Sequence, residues 1–307
     1  VLVHHGGDRR ASRPQEWADA AEAARVFHWR QERPDDLKRL ARTLAGRSVG
    51  LVLSGGGARA YAHIGAIDVF RKAGIDFDFI GGASMGAIIA AGVALEWSQE
   101  ELVERVNDAF VSSNPLGDWH LPVISLARGK RVDERLKEHF GEVEISDLAR
   151  PYFCVSSNLS TGKPFIHRRG RLRDALRASI AIPGILPPVI DGRNVLVDGA
   201  VFTNFPSEQM KAFHRGVSAG VDVTRATGVN PDDFRDAPGF LGWIRQNGFN
   251  ELPPIASLLM RSATAGVMVG QHQNFREVVD LLVLPDTETD LRQWKRFEET
   301  IDAGRRA

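Results

Sequence analysis

Two glycine-rich turns, each following a short apolar strand pattern, constrain the fold of this chain more than any other feature. The first turn, Ser54-Gly-Gly-Gly57, follows the apolar run 49–53, and the second, Gly82-Ala-Ser84-Met-Gly86, follows the run 77–80. A helical pattern over 59–73 separates the two turns. Strand, helix and strand at this spacing predict a βαβ unit, whose parallel strands end at one edge of a sheet. The two turns should therefore be neighbours.

The rest of the chain continues this alternation of strand and helix patterns. Apolar runs bounded by turn residues predict strands, and a period near 3.6 residues predicts helices. The predicted strands are 152–158, 164–168, 195–197 and 281–284, and the predicted helices are 101–110, 132–140, 172–178 and 291–303. This order indicates an α/β fold.

Residues 1–45 differ in character from the segment 46–307. They are rich in Arg and Ala, apolar residues from Trp17 to Phe27 recur at helical spacing, and no strand pattern is present. We expect a helical linker or docking arm over 1–45 and one large domain over 46–307. Because the sequence starts with Val1 rather than Met, we also expect the chain to be the C-terminal part of a longer protein.

Composition excludes several classes of function. The 307 residues carry 39 Lys and Arg against 39 Asp and Glu, so no overall basic excess is available to neutralise nucleic-acid phosphates. The single cysteine, Cys154, lies in a strand pattern and is predicted to be a buried, unreactive thiol. The nine histidines show no metal-ligand spacing, so neither a metal nor another cofactor is expected.

No membrane-spanning helix is predicted. The longest uncharged run, 79–95, only reaches the lower length limit of such a helix, and four glycines interrupt it. A buried strand, a turn and a buried helix explain this run better. No signal-peptide pattern occurs near the start of the sequence, and we expect a cytoplasmic protein.

Ser84 is the strongest candidate for a catalytic side chain. In a G-x-S-x-G turn between a strand and a helix, the serine adopts a strained backbone conformation that exposes its hydroxyl above the sheet. The backbone N–H of Met85 then lies at the positive end of the following helix, where it can stabilise an oxyanion. Ser84 is therefore a candidate nucleophile.

The first glycine turn supplies further hydrogen-bond donors to the same site. Glycines leave successive N–H groups free to face an anion, as an oxyanion hole requires. The candidate donors are Gly55, Gly56, Gly57 and Ala58. Arg59 has three interpretations: it supports this loop, it binds a phosphate, or it is an ordinary surface arginine at a helix start.

A serine nucleophile needs a base, and the residues leave two kinds open. Asp198 follows a short strand, and its carboxylate can take the serine proton directly if burial raises its pKa, although a turn-capping role is the alternative. A Ser-Asp-His triad instead requires a later histidine, either His214 or His272. Both histidines lie in polar stretches typical of exposed side chains.

The glycine turn also fits a dinucleotide-binding fingerprint. Gly55-x-Gly57-x-x-Ala60 has the required spacing, and Asp76 lies about where a ribose-binding carboxylate is expected. This interpretation gives a nicotinamide dinucleotide-binding oxidoreductase. It leaves Ser84 without a role, whereas the hydrolase interpretation uses both turns.

Four ordered blocks of sequence together resemble the patatin-like phospholipase family. The blocks are Gly55-Gly-Gly-Ala-Arg59, Gly82-Ala-Ser84-Met-Gly86, Ala178-Ser-Ile-Ala-Ile-Pro183 through Pro187-Pro-Val189, and Asp198-Gly-Ala200 through Asn204-Phe-Pro206. The resemblance covers about 48–209, and within the family the chain is most similar to bacterial relatives of neuropathy target esterase. One departure is Ala60, where the family usually has glycine.

This resemblance implies both a fold and a reaction. The implied fold is a three-layer α/β/α sandwich with a largely parallel sheet. The implied site is a Ser84 and Asp198 dyad with an oxyanion hole in the Gly55 to Ala58 loop. The implied activity is hydrolysis of carboxylic esters in lysophospholipids or phospholipids through an acyl-enzyme. Such relatives carry upstream cyclic-nucleotide-binding domains, so one is expected in the full-length protein.

Two other segments bear on lipid contact. Five arginines and one acidic residue lie between Arg168 and Arg177, which predicts either a solvated helix face or peripheral contact with the anionic inner membrane surface. The apolar stretch 240–260 is interrupted by Gly and Pro, and it is predicted to pack over the core or to form an acyl-chain entrance.

Overall fold

The computed structural model describes residues 1–4, 14–23, 25–113, 116–118, 124–224, 258, 278–291 and 293–307. Its strands are β1 (Leu2–His4), β2 (His28–Arg30), β3 (Ser48–Leu53), β4 (Phe79–Ala83), β5 (Tyr152–Asn158), β6 (Lys163–His167), β7 (Val189–Asp191), β8 (Asn194–Asp198), β9 (Gly216–Val221) and β10 (Leu281–Val283). Its α-helices are α1 (Pro14–Ala20), α2 (Pro34–Leu44), α3 (Tyr61–Lys72), α4 (Ser84–Ala94), α5 (Gln99–Asn107), α6 (Lys130–Phe140), α7 (Leu172–Ser179), α8 (Ser207–Phe213) and α9 (Phe297–Arg306).

A mostly parallel sheet forms the middle layer of the fold. Its strand order is β10-β9-β3-β4-β5-β8-β7, and β6 pairs with β5 in addition. From β10 through β9, β3 and β4 to β5, each strand is parallel to the next, which confirms the predicted βαβ unit of β3, α3 and β4. Strands β6, β7 and β8 pair in antiparallel fashion.

Helices cover both faces of this sheet. Because side chains alternate along a strand, Leu51 and Leu53 belong to one buried cluster and Val52 to another. The larger cluster contains apolar residues of α3 to α7 and α9, and the smaller one contains Met210 and Phe213 of α8. The three layers are therefore helix, sheet and helix, as the resemblance implied.

Two strands meet end to end along one side of β5. Strand β4 runs parallel to β5, and its last residue, Ala83, pairs with Val155. Strand β8 runs antiparallel to β5, and its last residue, Asp198, pairs with Ser156. Because β6 pairs with this part of β5 from the other side, β4 and β8 share one side and their carboxyl ends face each other. This register places the residue after β4, Ser84, beside Asp198.

The N-terminal segment contains strands as well as helices. Strands β1 and β2 form a separate parallel pair, although no strand pattern was expected there. Helix α1 ends at Ala20, well before Phe27, and Trp17 is 64% exposed rather than packed. The Nε2 atom of His28 lies 2.7 Å from the carbonyl oxygen of Ser146, so the N-terminal segment contacts the sheet-containing part of the chain. That residues 1–45 form a linker or docking arm separate from a domain over 46–307 stays a prediction.

The long uncharged run folds as predicted. It forms β4 and then α4, all of whose residues are buried. Among the described residues, no helix has both the length and the apolar character needed to cross a membrane. Cys154 in β5 is fully buried, and burial raises the pKa of its thiol to about 12, in line with the predicted unreactive cysteine.

Candidate active site

Ser84 lies at a sharp turn where β4 passes directly into α4. Its φ angle is 50°, in the left-handed region that residues other than glycine rarely adopt. Glycine is required on both sides: a Cβ at Gly82 would lie 2.8 Å from the carbonyl carbon of Gly86, and one at Gly86 would lie 2.2 Å from the Ser54 oxygen. The G-x-S-x-G pattern thus reflects close backbone packing around a strained serine.

The hydroxyl of Ser84 contacts the carboxylate predicted as its base. Its Oγ donates a hydrogen bond to Asp198 Oδ2 over 2.7 Å, and the Ala200 N–H donates to Asp198 Oδ1 over 2.8 Å. Burial raises the pKa of Asp198 to about 6, because it outweighs the hydrogen bonds from Ser84 and Ala200 that favour the carboxylate. No Lys or Arg of the described residues forms an ion pair with Asp198.

Ser179 holds the turn in place, and the sequence analysis gave it no role. Its Oγ accepts a hydrogen bond from the Ser84 N–H over 2.9 Å and donates one to the Val155 carbonyl oxygen over 2.6 Å. Ser179 ends helix α7, so it ties this helix, β5 and the turn together. The available signal was its position in the Ala178-Ser-Ile-Ala-Ile-Pro183 block.

The first glycine turn borders Ser84, as its place after a parallel strand predicted. A Cβ at Gly55 would lie 3.0 Å from the Ser84 Cβ. The Gly55 N–H donates to the Asn204 carbonyl oxygen over 3.0 Å, and the Ala58 N–H donates to the Leu291 carbonyl oxygen over 3.0 Å. These two N–H groups are therefore engaged within the fold, and the role of this loop as an oxyanion hole stays a prediction.

Three of the five predicted oxyanion donors have N–H groups that are not bonded to any acceptor of the described residues. Within the described part of the chain, no acceptor is hydrogen-bonded to the backbone N–H of Gly56, Gly57 or Met85. Gly57 has a φ of 53°, and a Cβ there would lie 2.6 Å from the Leu291 oxygen. The loop therefore needs glycine at this position for both its conformation and its packing.

Two buried side chains, those of Arg59 and His63, adjoin the first glycine turn. Arg59 is 4% exposed and its Nε donates to the Thr289 carbonyl oxygen over 3.1 Å, so the surface-arginine interpretation is wrong and the supporting one agrees with its contacts. His63 Nε2 lies 2.8 Å from the Ser54 carbonyl oxygen, to which it donates. Burial lowers the pKa of His63 to about 4, so this histidine is neutral at pH 7.

His214 does not lie near Ser84. Its Nδ1 is 2.9 Å from Ser48 Oγ and its Nε2 is 3.1 Å from Ser218 Oγ, which places it near the amino ends of β3 and β9. Ser84 follows the carboxyl end of β4, at the opposite edge of the sheet. The expectation of an exposed His214 is also wrong, since its ring is buried and stacked on Phe79. His272 lies outside the described residues.

Asp76 contradicts the dinucleotide interpretation. It precedes β4 and forms ion pairs with Arg42 at 3.1 Å and Arg150 at 2.6 Å. A ribose-binding carboxylate must lie at the carboxyl edge of the sheet, where the glycine turn is. Asp76 lies at the amino edge and is already paired, so the fingerprint spacing of Gly55, Gly57 and Ala60 is not accompanied by a ribose site.

Most of the arginine cluster is neutralised by other elements of the fold. The pairs are Arg169–Asp19 at 3.0 Å, Arg171–Glu142 at 3.5 Å, Arg173–Glu142, and Arg177–Asp133 at 2.8 Å. The local excess of positive charge in the sequence is therefore compensated in three dimensions. Contact of this helix with an anionic membrane stays a prediction, and apart from Leu258 the stretch 240–260 lies outside the described residues.

One group of potential metal ligands escaped the sequence analysis. Asp108, Glu138 and His139 bring their ligand atoms within 4.8 Å of one another. Asp108 comes from a different helical segment, so no ligand spacing was visible in the sequence. Arg135 Nη1 lies 2.8 Å from Glu138 and 3.5 Å from Asp108. The positive charge of Arg135 therefore already compensates the two carboxylates that a metal cation would bind.

Comparisons with known proteins identify one family and several relatives that are similar to this chain. The family model of patatin-like phospholipases matches residues 51–211. An uncharacterized NTE family protein of Mycobacterium tuberculosis is 37% identical over 282 residues, which are 89% of this chain and 48% of that protein. Lysophospholipase NTE1 of Yarrowia lipolytica is 32% identical over 243 residues, 76% of this chain and 17% of that protein.

Among solved structures, VipD from Legionella pneumophila matches with a TM-score of 0.46 and 12% identity, over 85% of this chain and 66% of that one. The chain thus spans about half the length of the mycobacterial relative and a smaller share of the yeast lysophospholipase.

Proposed function

Because the chain belongs to the patatin-like phospholipase family, we propose that it hydrolyses carboxylic ester bonds of lysophospholipids and phospholipids with a Ser84 and Asp198 dyad. The observation that carries this proposal is the 2.7 Å hydrogen bond from Ser84 Oγ to Asp198 Oδ2 at a strained, buried turn. A nucleophile hydrogen-bonded to a base is the arrangement that covalent ester hydrolysis requires.

Acylation begins with proton transfer between these two side chains. Ser84 Oγ attacks the ester carbonyl carbon while Asp198 takes the hydroxyl proton. The carbonyl oxygen becomes an oxyanion, and the N–H groups of Gly56, Gly57 and Met85 are the donors proposed to stabilise it. Collapse of the tetrahedral intermediate breaks the bond to the alcohol, which leaves with the proton held by Asp198. The acyl group remains on Ser84.

Deacylation repeats the same steps with water. Asp198 accepts a proton from a water molecule that attacks the acyl carbonyl carbon. The second tetrahedral intermediate collapses, the fatty acid leaves, and the proton returns from Asp198 to Ser84 Oγ. One carboxylate therefore acts as base and then acid twice in each turnover.

The pKa of Asp198 suits this role. At its ordinary pKa a carboxylate is too weak a base for a serine hydroxyl, whereas burial raises the value for Asp198 to about 6. At pH 7 most of the enzyme still carries the carboxylate form that accepts the proton. Activity is therefore expected to rise with pH through about 6.

The substrate class rests on the chain's relatives. The Yarrowia lipolytica relative is a lysophospholipase by name, and the matched part of that protein covers 76% of this chain. Lysophospholipids are accordingly the first substrates to test. The upstream cyclic-nucleotide-binding domain and the cytoplasmic, membrane-peripheral location also stay predictions.

The experiment is the release of fatty acid from a lysophosphatidylcholine by the purified chain and its variants. Ser84→Ala should lower turnover by about 10⁴-fold or more while the fold is retained by circular dichroism. Ser98→Ala is the matched control, because it removes a serine hydroxyl from the cap of α5, outside the site. Undiminished turnover in Ser84→Ala would refute the dyad.

A further inference from the structure

A cavity of about 300 Å³ lies between the N-terminal segment and the sheet-containing part of the chain. Ala18 of α1 and Arg25 line one side, and Leu148 and Tyr152 line the other. Tyr152 begins β5, whose later residue Ser156 pairs with Asp198. The cavity is therefore at the opposite edge of the sheet from Ser84.

Two arginines approach one aromatic ring in this cavity. The Cζ atom of Arg25 lies 4.6 Å from the centroid of the Phe213 ring, and that of Arg168 lies 4.7 Å from the same centroid. Arg25 also donates from Nη2 to the Phe213 carbonyl oxygen over 2.5 Å, which fixes its position. Both guanidinium groups therefore contact the ring of Phe213, and Arg168 is near enough for its charge to act on Arg25.

Neither of these arginines has an acidic partner among the described residues. No ion pair of Arg25 or Arg168 with a carboxylate occurs there, and the described lining of the cavity contains no Asp or Glu. Burial lowers the pKa of both guanidinium groups, and the charge of Arg168 lowers that of Arg25 further. Arg25 is partly buried and Arg168 is exposed, so their like charges repel each other at the cavity, and a bound anion would relieve this repulsion.

The neighbouring arginines show that this lack of partners is specific. Arg169, the third arginine at the cavity, pairs with Asp19 at 3.0 Å, and Arg171 pairs with Glu142 at 3.5 Å. Arg168 belongs to the same cluster in sequence, yet it turns toward Phe213 and the cavity. The cluster therefore divides into arginines neutralised by the fold and one that faces a space large enough for a ligand.

We propose that this cavity binds the phosphate group of a phosphate monoester between Arg25 and Arg168. Guanidinium groups present paired N–H donors that match the oxygens of a phosphate, and two of them suit its double negative charge. A volume of about 300 Å³ exceeds the needs of a phosphate alone. Val26 and Leu148 line the remainder, so an organic group attached to the phosphate has an apolar surface to contact.

Such a ligand would connect two parts of the chain. Arg25 belongs to the N-terminal segment, whereas Arg168 follows β6 of the main sheet. A phosphate held by both would stabilise the contact between them. The site is separate from the dyad, so its occupancy is independent of whether Ser84 is a nucleophile.

The test is calorimetric titration of the full chain with glycerol 3-phosphate and with inorganic phosphate at constant ionic strength, with glycerol as the uncharged control. Both phosphates should bind and glycerol should not. Arg168→Gln should weaken binding by about tenfold or more, because it removes charge-assisted hydrogen bonds. Arg171→Gln is the matched control and should bind as the unmodified chain does.

The two probes distinguish the sources of the phosphate. Tighter binding of glycerol 3-phosphate indicates a lipid headgroup or another organic phosphate, and equal binding indicates free phosphate. Arg25→Lys, which keeps the charge but loses the fork of donors, should give an intermediate affinity. Absence of binding by both phosphates, or unchanged binding by Arg168→Gln, would overturn the proposal. Neither probe contains an acyl ester, so this result is independent of the esterase assay.

Discussion

Asp198 and Asp36 are both buried carboxylates, yet their pKa values move in opposite directions. Asp198, at the carboxyl edge of the sheet, accepts hydrogen bonds from the uncharged groups of Ser84 and Ala200 in the described part of the chain, and burial raises its pKa to about 6. Burial also acts to raise the pKa of Asp36. This effect is outweighed by the side-chain and backbone hydrogen bonds of Arg30, by its charge and by the charge of Arg39. The pKa of Asp36 falls to about 2.

The contrast separates two uses of a buried charge. Near the amino edge of the sheet, arginines and carboxylates of α2, the start of β4 and the end of α4 form a network of short ion pairs. At the carboxyl edge, the buried carboxylate of Asp198 forms no ion pair with a Lys or Arg of the described residues. The first arrangement stabilises the fold, and the second raises the pKa of a carboxylate at the expense of stability, as the proposed base requires.

The largest expected effect is on catalysis, when the carboxylate of Asp198 is removed. Asp198→Asn removes the proton acceptor but keeps the shape of the side chain, so kcat for lysophospholipid hydrolysis should fall by about 10²–10⁴-fold. The substrate KM should change little, because Asp198 acts on Ser84 rather than on the substrate. Steady-state kinetics give both values, with exposed Asp191→Asn as the control. An active Asp198→Asn enzyme would show that another residue is the base.

The next effect is on stability at the amino edge. Asp36→Asn leaves the buried Arg30 and Arg39 with Glu96 as their remaining carboxylate, so the free energy of unfolding should fall by up to about 3–5 kcal/mol. Urea denaturation at pH 7 measures this change. Asp35→Asn, next to it but exposed and paired with Lys38, should leave the stability nearly unchanged.

The pH dependence of the Asp36 effect has a definite sign. Its pKa is lower in the folded state than the ordinary value of 3.8, so its stabilisation is present above that value and is lost as pH falls toward 2. The difference between Asp36→Asn and the unmodified chain should therefore shrink below about pH 4. A constant difference across this range would contradict the ion-pair explanation.

Asp198→Asn should have the opposite effect on stability. Its folded-state pKa of about 6 lies above the ordinary 3.8, so folding favours the protonated form and stability falls as pH rises through this interval. At pH 7 the neutral variant should be more stable by about 1–3 kcal/mol, and at pH 4 the difference should vanish. Urea denaturation at the two pH values tests this, and a destabilised variant at pH 7 would contradict it.

The smallest expected effects on stability are those of replacing a glycine at the amino edge of the sheet, Gly46, and one at the carboxyl edge, Gly57. Gly46, just before β3, has a φ of 67° and nothing within 4 Å of an added Cβ, so Gly46→Ala should cost about 1–2 kcal/mol of conformational strain alone. Gly57 has the same strain plus a clash at 2.6 Å with the Leu291 oxygen. Gly57→Ala should therefore be less stable than Gly46→Ala and should also lower kcat. Equal stability of the two would show that the loop relaxes freely.

Elements whose causes are local can be predicted from the sequence. A glycine turn after an apolar strand has local steric causes, so the βαβ unit, the sharp turn at Ser84 and the place of Asp198 at the end of a strand were visible in the sequence. The strand pairing that joins β4 and β8 end to end beside β5 was not, although it explains why these two residues meet.

Features that depend on distant partners were missed or mistaken. His214 looked exposed because its neighbours in sequence are charged, yet Ser48, Ser218 and Phe79 bury it. Likewise, the positive charge between Arg168 and Arg177 is largely compensated by carboxylates from other elements of the fold. Short-range patterns carry no information about such contacts.

The most direct test of the dyad is the rate at which a fluorophosphonate ester labels the chain, followed by intact mass and mapped by peptide mass spectrometry. We expect one label, on Ser84, at a rate that falls about tenfold per pH unit below about 6, as the Asp198 carboxylate becomes protonated. Asp198→Asn should be labelled far more slowly at every pH. Labelling of another residue, or a rate at Ser84 unaffected by Asp198→Asn, would contradict the account.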